Sequence, residues 1–595
     1  MCGIIGYTGD STALDVLLTG LSSLEYRGYD SAGVAVSDTT LSVHKCEGEL
    51  SALKAVLPDG SVRGHTGIGH TRWSTHGPPS NVNAHPHTDC DGQIAVVHNG
   101  IIENYQALRH DLKARGHTFD GETDTEIVPH LIEEFLAEGA DQETAFRQAI
   151  DRLKGSYAIA AVFTASETVY AARHESPLVL GIGEDGHYLA SDVPAFIEYT
   201  NQVIYLNDGE FATITPDGVT VTDSAGIVVD APVETILWSP EDAGKSGYNH
   251  YMLKEINEQP RALRQCLRGR VNELLRIVQV DEVINLETPN AVQFVACGTS
   301  YHAALYGAQF FRECGVMAQT FLASEYTAAT VPMGEGTLVI GVTQSGETAD
   351  TMRALREASA AGATTLAMTN VVGSSAAREC DHAMYIRAGP EISVAATKTF
   401  GSQQVAAVLL ATALIGVADQ SLLAALRGLP DHVQTVLDSS RARDVAEAYL
   451  DADSYFFIGR GYNMPVALEA ALKTKEITYK HAEGFAAGEL KHGPLALVTE
   501  DTPVFALLTA GVNFEKTLSN VREVEARGGP VIAVTDSPKE VKGYADHVLE
   551  VPETHSTVAP IVANVQLQLV SYWIANRLGR PIDKPRNLAK SVTVE

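Results

Sequence analysis

Cysteine at position 2 can do chemistry that it can do nowhere else in a chain. With Met1 removed, which a small second residue permits, Cys2 carries both a thiol nucleophile and an α-amine whose pKa lies near 8. The amine can then act as general base on its own thiol, directly or through a water, and no separate histidine is needed. Four polar clusters follow in Gly-rich surroundings: 26–33 with Arg27 and Asp30, 70–77 with Arg72, Trp73, Thr75 and His76, 98–104 with Asn99 and Gly100, and 122–126 with Asp124. Together they supply what amide hydrolysis requires. Arginine grips a carboxylate bidentately, aspartate takes an ammonium, and an asparagine amide beside a glycine N–H makes an oxyanion hole. Each residue also has an ordinary use: Arg72 in a surface ion pair, Asn99-Gly100 in a hairpin turn, Asp124 as a helix cap. Their joint presence behind Cys2 favours the chemistry.

A second set lies after residue 290. Cys297-Gly298-Thr299-Ser300 and Thr343-Gln344-Ser345-Gly346-Glu347-Thr348 each close an apolar strand-like run and lead into a helical one. Hydroxyls and backbone N–H groups at a helix start, with glycine allowing close approach, form an anion site. Loops at the carboxyl ends of parallel strands are where open α/β sheets bind ligands. No Lys or Arg is present in either loop, which suits a sugar phosphomonoester better than a triphosphate; simple helix capping is the competing use. Further on come Lys473 and Glu476 on a helical stretch, His492 in a Gly-rich run, and Lys590 near the end. A lysine can form a Schiff base with a ketone, a histidine can open a hemiketal, and a glutamate can carry a proton between adjacent carbons. Surface charge for Glu476 and a frayed tail for Lys590 are the alternatives.

The elements that must position these residues fall into two halves. Short β-rich runs at 4–7, 33–37, 68–72, 94–98, 158–163, 169–173 and 179–182, with helical stretches at 12–24 and 104–114, predict a layered α+β domain. Residues 239–247 read as a linker, and 251–280 read as helical except at Pro260. Beyond them, strand–turn–helix units recur. The runs 294–300, 339–343 and 365–370 find counterparts at 456–461, 504–509 and 531–536, an offset of about 162 to 166 residues that is too long for a solenoid. This is a duplicated domain with parallel sheets wound on both faces. The second copy's loop 509–512 lacks the hydroxyl-rich pattern, which predicts loss of phosphate binding there.

The first half resembles the class II glutamine amidotransferases. The resemblance rests on Cys2-Gly3-Ile4-Ile5-Gly6 and on the runs 26–33, 70–77, 98–104 and 122–126. It implies an N-terminal-nucleophile αββα sandwich with Cys2 as nucleophile and Asn99 with Gly100 as oxyanion hole. It further implies Arg72, Thr75, His76, Gly100 and Asp124 around glutamine, Arg27 in support, and Trp73 on a closing loop that gates ammonia. The second half resembles a pair of sugar isomerase (SIS) domains of flavodoxin-like α/β form. Taken whole, the chain is similar to the glucosamine-6-phosphate synthase family, the isomerising glutamine–fructose-6-phosphate aminotransferases. That similarity implies Ser300, Thr343, Gln344, Ser345 and Thr348 on the phosphate, with Thr299, Val394 and Ala589 near the sugar. It implies Lys590 as Schiff-base lysine, Glu476 as C1–C2 proton shuttle, His492 in ring opening from a neighbouring subunit, and Lys473 in support. Glutamine and fructose 6-phosphate are then the substrates, the protein is at least a homodimer, and ammonia is channelled between two sites. The expected organisation is amidotransferase 2–238, linker and leading helix 239–284, first SIS domain 285–425, linker helix 426–449, second SIS domain 450–585 and a catalytic tail 586–595. Thr343 stands where relatives are expected to carry serine; its hydroxyl is retained.

Composition excludes other classes. A formal net charge of −31 repels nucleic acid and anionic membrane surfaces, and the acids are spread along the chain rather than gathered in a tail. Such a charge suits a salt-rich cytoplasm where self-repulsion is screened. No apolar run reaches about 18 residues, and the seven scattered cysteines contain no C-x-x-C pair, so neither a membrane span nor a disulfide framework is expected. His65, His70, His76, His85 and His87 with Asp89 and Cys90 raise the question of a metal. His85 and His87 share a strand face, but no further compact ligand pair follows, and no metal or organic cofactor is expected. The pyrophosphate loop of an asparagine synthetase and the phosphoribosyl loop of a phosphoribosyl amidotransferase are both missing. A sugar-phosphate sensor would not need Cys2, Asn99, Glu476, His492 and Lys590 together.

Overall fold

The computed structural model describes residues 2–58, 62–74, 76–236, 238–272, 277–416 and 419–593. Thr75 therefore lies outside the described residues. The chain divides into two units, Met1–Ala243 with Ala589–Glu595, and Gly244–Leu588. Among the described residues no helix is long and apolar enough to cross a membrane.

The first unit stacks two antiparallel sheets of eight and six strands. Strands Gly3–Gly9, Ser31–Ser37 and Thr66–Arg72 are buried at every residue. One face of the larger sheet meets the smaller sheet over Ile4, Ile68, Val97, Ala160 and Leu189. Helix Ala13–Leu24 covers the other face, burying Val16, Leu17, Leu21 and Leu24 at helical spacing. The smaller sheet is covered in turn by Tyr105–Arg115, Ile127–Ala137 and Gln142–Ile150, which pack Leu108, Leu131 and Phe146 against Ile94, Val96 and Ile159. The result is the αββα sandwich. Cys2 immediately precedes Gly3–Gly9. The neighbouring strand ends at Arg72, and Asn99-Gly100 lie inside Ile94–Ile102 of the facing sheet.

The second unit holds two parallel five-stranded sheets. Their orders are Met317–Leu322, Ala291–Ala296, Thr337–Thr343, Thr364–Thr369, His382–Tyr385, and His481–Ala486, Ser454–Gly459, Val504–Leu508, Val531–Thr535, His547–Glu550. In chain order each reads 2-1-3-4-5, the doubly wound arrangement whose switch point lies between the first and third strands. The central strands are buried throughout, as parallel sheets covered on both faces require. Helices Gly298–Glu313 and Asn463–Thr478 follow the first strand of each copy, which makes the duplication visible element by element.

Three readings are corrected. Among its described residues the segment 251–280 is helical only over Tyr251–Asn257 and Gln259–Leu267; Gly269 then turns at φ +77°, and Val271–Asn272 pairs with Ile277–Val278. Asn99-Gly100 is no hairpin turn, since both residues pair mid-strand with Ala158 and Tyr157. Asp124 caps no helix: the flanking residue of Ile127–Ala137 is Glu126, and Asp124 instead accepts the Ile102 N–H at 2.8 Å.

The helix bearing Lys473 and Glu476 approaches the end of its strand so closely that a Cβ on Gly459 would lie 2.4 Å from the Asn463 carbonyl oxygen. Gly459→Ala is expected to destabilise the unit by about 1–3 kcal/mol through overpacking. Gly428→Ala, mid-helix with its nearest neighbour atom 3.8 Å away, is expected to stabilise it by about 0.5–1 kcal/mol. Urea unfolding of the two variants beside the parent checks the opposite signs.

Candidate functional site

In the first unit a cavity of about 460 Å³, counting its open mouth, is lined by Cys2, Arg72, Trp73, His85, His98, Asn99, Gly100, Thr123, Asp124, Thr125 and Thr593. The Cys2 thiol is bracketed by one backbone residue: Trp73 donates its N–H to Sγ at 3.2 Å, and Sγ lies 3.4 Å from the Trp73 carbonyl. The Cys2 carbonyl accepts from Asn99 Nδ2 at 2.9 Å and from Arg27 Nε at 3.2 Å, and Arg27 pairs with Asp192 at 3.1 Å. Gly100 has φ +128°, and a Cβ there would fall 2.1 Å from the Ser156 carbonyl, so only glycine brings this backbone to the cavity wall. Arg72 is no surface residue; it is 3% exposed and donates to the His76 and Gly77 carbonyls. Burial lowers its pKa, with Cys2, Asp124 and Asp30 acting the other way. Asp30 accepts the Ser74 N–H at 2.9 Å, holding the strand-to-loop corner. Trp73 packs edge-on against Tyr29, and half-buried His76 against Tyr105.

Beneath the cavity lies a layer of buried imidazoles. His70 and His85 pack at a tilt with ring centroids 4.2 Å apart, and His87 meets His85 edge-on at 4.8 Å. Thr125 Oγ1 bridges His85 Nε2 (2.8 Å) and His98 Nδ1 (2.9 Å), while Thr123 meets His87 Nε2 at 3.0 Å. Burial drives the pKa of His70 down to about 3 and lowers those of His85, His87 and His98 as well. A neutral His70 carrying its proton on Nε2 donates to Asn99 Oδ1 at 3.1 Å, which turns the Asn99 amide N–H groups toward Cys2. Of the histidines weighed from sequence, His65 lies apart, with its Nδ1 3.0 Å from the Ser11 carbonyl.

In the second unit, loops 297–300 and 344–348 follow the adjacent parallel strands Ala291–Ala296 and Thr337–Thr343, at the first copy's switch point. Ser300 Oγ accepts from Gln403 at 2.9 Å, Thr343 and Thr348 share a hydroxyl contact of 3.1 Å, and Thr343 also accepts the Gly346 N–H at 3.2 Å. Ser345 accepts the Glu347 N–H at 3.2 Å. Two loops thus turn hydroxyls and helix-start amides into one crevice. The second copy's equivalent is plugged: Asp536 takes the Ala510 N–H with both oxygens at 3.0 and 2.9 Å, and Thr509 is held by Asn463.

Helix Asn463–Thr478 of the second copy reaches the first copy's crevice. Lys473 is buried and contacts Thr299 Oγ1 (3.0 Å), Glu469 (3.4 Å) and Glu476 (2.5 Å). Burial works against its ammonium, but Glu469 and Glu476 outweigh it and raise the pKa to about 12. Glu469, fully buried, also accepts from Thr299 at 2.9 Å and meets His302 Nδ1 at 2.8 Å. Glu476 is partly buried rather than a surface charge. Val394 is anchored through its N–H to the Asp583 carbonyl at 3.1 Å. His492 ends a 3-10 turn, Ala487–His492, and is exposed; among the described residues no hydrogen bond or ion pair joins it to Lys473 or Glu476. Ala589 and Lys590 belong to the first unit, with Thr593. Glu469, His302, Gln403 and Thr593 were not singled out from sequence. Glu469 had a readable signal, since 469, 473 and 476 fall on one face of an otherwise apolar helix.

A glutamine amidotransferase domain model matches residues 70–198, and a SIS domain model matches residues 285–413 and again 448–576. Over the full length of both chains, the sequence is 51% identical to the glutamine–fructose-6-phosphate aminotransferase [isomerizing] of Halobacterium salinarum. The proteins of the same name from Symbiobacterium thermophilum and Thermococcus kodakarensis are 49% and 48% identical, again over 100% of each chain. The solved C-terminal domain of glucosamine-fructose-6-phosphate aminotransferase from Francisella tularensis is similar to 57% of this chain and 99% of its own, with 35% identity and a TM-score of 0.55.

The neutral histidine layer fixes a pH dependence. His70 has a folded pKa near 3 against an ordinary value of 6.5, so the unfolded chain takes up the proton first as pH falls. Its contribution is complete above about pH 6.5 and is lost progressively toward pH 3. By pH 5 the loss from His70 alone is about 2 kcal/mol, and His85, His87 and His98 act in the same direction. The unfolding midpoint of the first unit is expected to drop between pH 7.5 and 5, and His70→Gln to flatten that slope while starting lower. Thermal unfolding across this range checks it.

Proposed function

The chain belongs to the family of isomerising glutamine–fructose-6-phosphate aminotransferases, and from that premise we propose how its residues divide the reaction. Glutamine supplies the nitrogen, fructose 6-phosphate accepts it, and glucosamine 6-phosphate and glutamate are the products.

Cys2, freed of Met1, attacks the glutamine side-chain carbonyl. Its thiolate forms the C–S bond, and the oxyanion is held by Asn99 and Gly100. Ammonia leaves with the proton taken from the thiol, and water then cleaves the thioester to glutamate. Arg72, Thr75, His76 and Asp124 hold the amino-acid end of glutamine. Arg27 fixes the Cys2 backbone, and Trp73 closes over the substrate. The observation that carries this reading is the setting of the thiol: bracketed by Trp73, with the Asn99 amide 2.9 Å from the Cys2 carbonyl and Arg72 and Asp124 on the same wall.

Ser300, Thr343, Gln344, Ser345 and Thr348 hold the phosphate, and Thr299, Val394 and Ala589 border the sugar. The ketose C2 carbonyl condenses with Lys590, expelling water. Ammonia displaces Lys590 from the imine, and Glu476 moves a proton from C1 to C2. The plugged second crevice supports one phosphate site per chain. Lys473 holds Glu476 and Thr299 in place, as their 2.5 and 3.0 Å contacts support. The reading includes ammonia transfer without release to solvent, a cytoplasmic setting, and a homodimer in which exposed His492 serves the ring-opening step of the neighbouring subunit.

Product analysis tests the division. Cys2→Ala is expected to lose glutamine-dependent synthesis and keep synthesis from added ammonia, whereas Lys590→Ala loses both. Glu476→Gln is expected to slow both by about 10²–10⁴-fold. Loss of the ammonia-dependent reaction in Cys2→Ala would overturn the two-site assignment, and mass spectrometry of the N-terminus checks Met1 removal. For the −31 net charge, a salt-adapted protein is expected to show an unfolding midpoint that climbs from about 0.1 M to about 2 M KCl as self-repulsion is screened. A maximum at the low end would rule out that adaptation.

A further inference from the structure

Away from the Cys2 cavity, three separate segments of the first unit bring four metal-ligand side chains to one point. Cys90 lies in the turn between strands His87–Thr88 and Ile94–Ile102, and His117 follows helix Tyr105–Arg115. His130 and Glu133 sit one turn apart on helix Ile127–Ala137. The donor atoms of all four lie within 4.8 Å of one another. Cys90 Sγ is 3.5 Å from His117 Nδ1 and 3.6 Å from His130 Nδ1; Glu133 Oε2 is 2.9 and 3.2 Å from the same two nitrogens.

These are the edges of a small tetrahedron. Zinc bonds of about 2.3 Å to sulfur and about 2.0–2.1 Å to nitrogen or oxygen place S and N ligands roughly 3.5 Å apart and N and O ligands roughly 3.3 Å apart. The surroundings match as well. His117 presents its other nitrogen to Glu134 Oε1 at 2.8 Å, the outer carboxylate that orients a ligating imidazole, and Arg115 holds Glu134 at 2.8 Å. Hydrogen bonding alone accounts poorly for the arrangement. It crowds two ring nitrogens and the Cys90 N–H, at 3.3 Å, onto a single Glu133 oxygen while a thiol faces both rings.

We propose that Cys90, His117, His130 and Glu133 bind one zinc ion. All four positions are filled by protein, so the site is structural. The ion takes Cys90 as thiolate and releases its proton. It ties the turn that leads into the strand bearing Asn99 and Gly100 to the helix that begins three residues after Asp124. No metal was expected from sequence because no compact ligand pair follows His85 and His87; Cys90 lies 27 and 40 residues from His117 and His130.

The test uses the full-length protein stripped with EDTA and titrated with Zn²⁺ against a chromophoric chelator, with bound metal counted by mass spectrometry. The parent is expected to take up one zinc per chain at this site, and Cys90→Ser to lose it or to bind at least tenfold more weakly. Glu134→Gln, which keeps all four ligands, is expected to retain the stoichiometry with affinity lowered about 10- to 100-fold. Loading the parent with Co²⁺ is expected to give a sulfur-to-metal charge-transfer band that Cys90→Ser lacks. No zinc uptake by the parent, or uptake by Cys90→Ser within tenfold of the parent, would overturn the site.

Discussion

The buried ammonium of Lys473 joins the two copies within the second unit. Lys473 carries its charge out of water, which costs several kcal/mol unless the charge is paired and fully hydrogen-bonded. Glu469 and Glu476 supply the countercharge from the same helix face, four and three residues away, and Thr299 supplies the remaining contact. Thr299 belongs to the first copy of the duplicated domain and the carboxylates to the second. The polar core of the first copy's crevice is therefore completed by the second copy. Glu469 is as deeply buried as Lys473 and leans on His302 as well, again across the duplication. Removing one member of such a group leaves an uncompensated charge and costs about 3–5 kcal/mol, so the arrangement resists piecemeal change.

That constraint explains why two copies of one fold came to do different things. Both have the 2-1-3-4-5 strand order and both present a switch-point crevice. In the first, hydroxyls and helix-start amides converge, and the loop's one acid, Glu347, is turned aside onto the Ser375 N–H and hydroxyl at 2.8 and 2.7 Å. In the second, Asp536 occupies the backbone N–H of the equivalent loop, and Arg460 is committed to Asn520. A carboxylate already seated on an anion-binding amide excludes phosphate by charge and by occupancy. The second copy instead contributes its helix Asn463–Thr478, whose polar face is held at the first copy's crevice.

Much of this was legible in the chain. Cys2, the loops at 297–300 and 343–348 and the offset of the duplication are local patterns, and local patterns survive reading in one dimension. Glu469 was missed because its role depends on what packs over the helix, and a carboxylate on a helix face reads as solvated until its neighbours are known. A helix after residue 126 was expected, and Ile127–Ala137 is that helix. Helix Gln142–Ile150 and the strands after residue 182 were not read, although Ala145, Phe146, Ala149 and Ile150 fall on one helix face. The helical reading of 251–280 failed because β-branched residues and Gly269 end the pattern at a point that only the pairing of Val271–Asn272 with Ile277–Val278 makes visible.

The two units handle charge in opposite ways, and each way follows from the chemistry. The first copy's crevice gathers an ammonium and carboxylates, which suits the proposed proton transfer between adjacent carbons, since such a base needs neighbours that stabilise both of its states. The Cys2 cavity rests on imidazoles kept neutral by burial, since a cationic His70 could no longer leave its Nδ1 bare and would add charge beside Arg72. Neutrality lets His70 act as a fixed donor: its Nε2–H holds Asn99 Oδ1, and the Asn99 amide protons are thereby turned the other way, toward Cys2. An oxyanion hole works only if its donors are oriented before the charge develops. In the proposed oxyanion hole the orientation is set by a neutral histidine, and that histidine is neutral because the two sheets close over it.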